Sequence, residues 1–150
     1  MEMIDLFRSL KDQHQFLEAF LNTIMLQQRA IIENNMTGLE ETIKTEGALM
    51  IYIEQHEKKV LEIIGELSQK YSIDVPSNKL SDFVAAVKAK KIMETGSIEK
   101  IQNSLKKYIL RIAKVNAQNK ILIEQARSFV QETISAIVSF NKNQILDRKI

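Results

Sequence analysis

The chain has 150 residues, enough to bury a core as one domain. Its hydrophobic fraction of 45% and charged fraction of 27% are ordinary for a globular chain, but one proline and four glycines leave few breaks and point to long helices. Cysteine is absent, which excludes disulfides, thiolate catalysis and cysteine zinc sites and fits a reducing compartment.

Charges at Glu2, Asp5, Arg8, Lys11 and Asp12 interrupt the N-terminus where a secretory signal needs an apolar block. The longest apolar run, Ala48 to Ile53, is far short of the roughly 20 residues of a membrane span. The expectation is a cytoplasmic protein with no membrane insertion. Residues 1–75 carry 7 basic and 13 acidic groups, against 14 and 6 in residues 76–150. The two halves of an antiparallel bundle would attract weakly through such charges. The lysines are spread along helix faces without interleaved aromatics, so no nucleic-acid partner is expected.

Met3 to about Glu33 predicts a first helix. Met3, Leu10, Leu17, Ile24 and Ile31 repeat every seven residues, and His14, Gln13, Gln27 and Gln28 interrupt the stripe. A turn over residues 33–38 follows. Thr37 is the candidate N-cap there, with Glu40 at the capping-box spacing. The second helix is expected from about Gly38 to Gln69, with Glu46 and Glu57 on its apolar stripe, so that seam is partly open. Val75-Pro76 ends it. A short helix is expected over about Lys79 to Ile92, then a turn at Thr95-Gly96-Ser97 with cap chemistry.

The last helix has the most regular pattern. Ile98, Ile101, Leu105, Tyr108, Ile112, Val115, Asn119, Leu122, Ala126, Phe129, Thr133, Ala136 and Phe140 alternate steps of three and four. An adjacent row holds Ile109, Asn116, Ile123, Val130 and Ile137. Two rows imply burial on more than one face, as in a bundle. The expected fold is all-α: an antiparallel bundle of three long helices, with one short helix before the last and coiled-coil-like packing. Residues 1–150 form a single domain, and residues 141–150 a flexible tail.

No local catalytic motif occurs, and no enzyme, cofactor or metal function is expected. His14 and Glu18 share an i, i+4 spacing that could hold a metal, but a polar break at the edge of the stripe explains His14. Asn116 and Asn119 form a polar pair, and Asn119 sits on the seam itself. Left unpaired in a core, an amide costs about 1–3 kcal/mol. The pair is therefore expected to specify packing register rather than to touch a ligand.

Val115-Asn116-Ala117-Gln118-Asn119-Lys120-Ile121-Leu122-Ile123, with Ser128-Phe129-Val130 after it, resembles the N-x-x-N-x-x-L-[LI] stretch and following aromatic of the FlgN family of flagellar type III export chaperones. Leu39 through Leu67 resembles that family's second helix, and Leu80-Ser81-Asp82-Phe83 its short middle segment. His56-Glu57-Lys58-Lys59 departs from the family, where arginine is common. The resemblance implies a cofactor-free helical chaperone. It would keep the hook–filament junction proteins FlgK and FlgL unassembled and hand them to the export apparatus. A coiled-coil scaffold, or a chaperone for another secretion client, is the alternative with the same periodicity.

The last helix outruns its neighbours, so its end lacks a full cover. Phe129, Val130, Ile134, Ile137, Val138, Phe140 and Ile145 are the expected partner-binding residues. For Phe129 and Val130 the competing expectation is packing against the start of the first helix, near Ile4, Phe7 and Leu10.

Overall fold

The structure is a computed structural model that describes residues 2–149 apart from Asn78; the side chains of residues 145–149 lie outside the described set. Four helices occur among the described residues: α1 (Met3–Ile32), α2 (Met36–Lys70), α3 (Leu80–Ala89) and α4 (Gly96–Lys149). α4 does not end at Phe140 as expected. Its backbone is helical to Lys149, through the segment set apart as a tail, because residues 141–149 hold no proline or glycine.

Local chemistry sets the helix ends. The Asp5 carboxylate accepts the Glu2 N–H at 2.7 Å, which fixes the entry to α1. α1, α2 and α3 each close with a left-handed residue that is not glycine: Asn34, Ser72 and Lys91, with φ of 53°, 53° and 51°. Past each of them a 6→1 amide bond closes the turn: Asn35 to the Ala30 carbonyl, Ile73 to Ser68 and Ile92 to Val87. Ile73 is then buried, which anchors the exit from α2.

Asn35 serves two helices. Its N–H closes α1, and its Oδ1 accepts the Gly38 N–H at 3.0 Å to open α2. This corrects the expectation of Thr37 as N-cap: Thr37 lies inside the first turn of α2. The α1–α2 connection is consequently only three residues long.

Paired side chains give the helix directions. Glu2 meets Lys70, His56 lies near Asp12, Phe16 stacks on Tyr52, and Gln27 reaches Glu46, so α1 and α2 run antiparallel. His14 meets Tyr108 and Asn119 meets Ile24, so α1 and α4 run parallel. α1 is the shared partner: it packs against both long neighbours, while among described residues no Cα of α2 comes within 8 Å of one of α4.

The main core joins Leu6, Leu10 and Leu17 of α1, Ile63, Ile64 and Leu67 of α2, Phe83 and Val87 of α3, and Ile98 and Leu105 of α4. α3 plugs the end where α2 and α4 diverge, burying Phe83, Val84 and Val87. A smaller cluster of Phe20, Leu21, Ile24 and Val115 continues the α1–α4 seam upward.

The dual role of Asn35 has a measurable consequence. Asn35→Ala should lower unfolding free energy by about 0.5–2 kcal/mol, whereas Thr37→Ala should stay within about 0.5 kcal/mol. Urea unfolding of both variants checks this, and equal losses would contradict the cap assignment.

Candidate functional site

The seam of α4 begins as core. Ile98, Leu105, Val115 and Asn119 are buried, and Ile101, Tyr108 and Ile112 are half-buried against the same clusters. Its upper end is polar. Asn119 Nδ2 donates to the Ile24 carbonyl at 2.9 Å and to Gln27 Oε1 at 3.1 Å. Gln27 Nε2 in turn donates to Glu46 Oε2 at 2.9 Å. One chain of hydrogen bonds therefore crosses from α4 through α1 to α2.

The Asn119 amide faces two acceptors, so its nitrogen must point at them, and its Oδ1 is left buried without a partner. Asn116 is only half-buried and does not pair with Asn119. The residues that complete the layer, Gln27 and Glu46, were visible in the sequence only as separate interruptions of two stripes. What their spacing could not give is that all three interruptions meet at one height.

Beyond this layer α1 stops. Ile123 to Gln144 are all exposed, although the apolar face carries on along the same side of α4. Phe129, Val130, Ile134, Ile137, Val138 and Phe140 are each 53–69% exposed. The side chain of Ile145 lies outside the described residues. Because α4 runs parallel to α1, Ile4, Phe7 and Leu10 sit at the opposite end, beside the start of α4. Packing of Phe129 or Val130 against them is thereby ruled out: Met3 and Leu10 share their cluster with Ile98 instead.

The other side of this free end is hydrophilic, with Gln125, Ser128, Gln131, Glu132, Ser135 and Ser139. Glu124 and Glu132 balance Arg127 and Lys142. Thr133, on the apolar face, gives its hydroxyl to the Phe129 carbonyl at 2.8 Å and offers no donor outward. Such a face can hold apolar side chains of another helix without demanding charge.

Elsewhere, His14 packs its ring edge on Tyr108 at 4.9 Å, and His56 sits against Phe16 at 5.2 Å. Among described residues no group of three or more His, Asp or Glu side chains gathers at metal-binding distances, and no helix is long and apolar enough to cross a membrane.

The polar layer predicts coupling between α4 and α1. Asn119→Ala and Gln27→Ala should each destabilise by about 1–3 kcal/mol, by stranding the other's buried polar atoms. The double variant should lose less than the sum, leaving a coupling of about 1 kcal/mol in a double-mutant cycle. Strict additivity in urea unfolding would show that the layer does not act as a unit.

Among curated proteins and among solved structures, none matches the chain. A family model, described as FlgN protein, matches residues 1–145. The match covers the α1–α2 hairpin, α3, the polar layer and the exposed face of α4 to its last described side chain. The chain therefore belongs to the FlgN family, a family of flagellar export chaperones.

Proposed function

We propose that this protein is a cytoplasmic chaperone for hook–filament junction proteins of the FlgK and FlgL type. It holds their amphipathic C-terminal helical segment on the free end of α4 until the export apparatus takes them. The observation that carries this reading is the run of exposed apolar residues from Phe129 to Phe140 on an otherwise polar helix.

A helix-in-helix mode suits the face. Apolar anchors at three- and four-residue spacing on α4 interdigitate with the same spacing on an incoming amphipathic helix. Fully covering six such side chains yields a gross gain of about 9–18 kcal/mol, at roughly 1.5–3 kcal/mol each. Association itself opposes this with about 4–15 kcal/mol, and ordering the client opposes it further. The surplus is a moderate affinity, which is what a carrier that must release its cargo requires.

Replacing Ile137 and Phe140 together by serine should abolish binding of a peptide spanning the FlgK C-terminal segment, measured by calorimetry. Helicity and melting temperature should stay near wild type, because neither side chain belongs to a core cluster. Normal binding by a folded double variant would place the site elsewhere.

A further inference from the structure

A second apolar surface adjoins the free end of α4. α2 and α4 lie on different sides of α1 and leave a groove between them. At its upper end this groove is a concavity floored by Ala30 and Ile31 and walled by Met36 and Leu39 of α2 and by Ile123 and Ala126 of α4. Seven-residue steps from the notch trace both walls. On α2 they give Met36, Ile43 and Met50; on α4 they give Ile123, Asn116 and Ile109. The helices are antiparallel, so the two rows descend together. Met36, Ile43, Met50, Ile109 and Ile123 are each 41–66% exposed.

The α4 wall does not end at the notch. Its row continues through Val130 and Ile137 onto the free end. From Ile109 to Ile137 this is one uninterrupted track of about 42 Å at 1.5 Å per residue. A helix lying on the proposed client face is therefore led straight into the space between α2 and α4.

We infer that one amphipathic helix of the client fills this groove as a fourth member of the bundle, clasped by α2 and α4 below and lying on α4 alone above. This rests on the chaperone reading and adds α2 to the binding surface. The track calls for an occupant of about 28 residues, or four heptads. The free end of a second copy's α4, residues 123–144, is too short to fill it. Asn116 interrupts the wall next to the Asn119–Gln27–Glu46 layer, so the occupant carries a polar residue at that height, which fixes its register.

The test separates α2 from the free end of α4. Ile43→Glu with Met50→Glu charges the α2 wall and alters no buried residue. Calorimetry with the FlgK C-terminal peptide should show affinity weakened about tenfold or more, with helicity and melting unchanged. The chain has no cysteine, so Ile43→Cys carrying a photoreactive label marks one position only, and it should attach to the peptide. Unchanged affinity in the folded glutamate variant, or a label that captures no peptide, overturns the groove assignment. The chaperone reading then still stands on the Ile137 and Phe140 variant. A wild-type dimer that dissociates in the glutamate variant would make a second copy the occupant, and overturns the inference too. A peptide that fails to bind the wild type removes the chaperone reading and the groove together.

Discussion

The architecture depends on a mismatch of lengths along a shared partner. α1 has 30 residues and packs against both α2 and α4, while α4 has 54. A parallel seam between helices of such different length must leave one end bare, and the parallel direction decides which end. The start of α4 is drawn into the core with Met3 and Leu10, and α3 closes that end. The far end has nothing to lie on. Hydrophobic burial therefore stabilises the fold at one pole and stays unused at the other.

The polar layer marks where one regime gives way to the other. An apolar seam can slide by a heptad at little cost, because each step meets similar side chains. Asn119, Gln27 and Glu46 remove that freedom, since a slip would separate donors from acceptors inside a half-dry interface. The layer holds α4 at one height relative to the hairpin, and so fixes how much of it stands clear. The buried Asn119 Oδ1 without a partner is the residual expense of that register.

Most of the helix plan was readable from periodicity and from scarce breakers. Residues 3–33 and the short segment before Thr95 fall where the apolar spacing puts them, with ends shifted by one to three residues. Three features were not readable. Thr37 fits the capping-box spelling, but Asn35 takes the cap because the preceding turn already holds its backbone in place. Residues 141–149 read as a tail because their pattern is polar, yet polarity alone does not stop a helix that lacks glycine and proline. The contact between Gln27, Glu46 and Asn119 joins positions 19 and 92 residues apart, and no local rule connects such separations. The candidate face was legible as a stripe. Its exposure needed the direction of α4 relative to α1, which a stripe does not carry.

A helix standing clear of its neighbours draws its stability from helix–coil balance alone. Isolated helices of this length are marginal in water, and each residue adds or removes only tenths of a kcal/mol. The free end of α4 then behaves as an ensemble that frays from its C-terminus, with amides that exchange far faster than those below the polar layer. Any partner that needs the helical form must draw it from that ensemble, so apparent affinity scales with the folded fraction. Ser128, Ser135 and Ser139, on the face turned away from the apolar stripe, thereby become rheostats of binding. The strength of the grip is written partly into residues that never touch what is held.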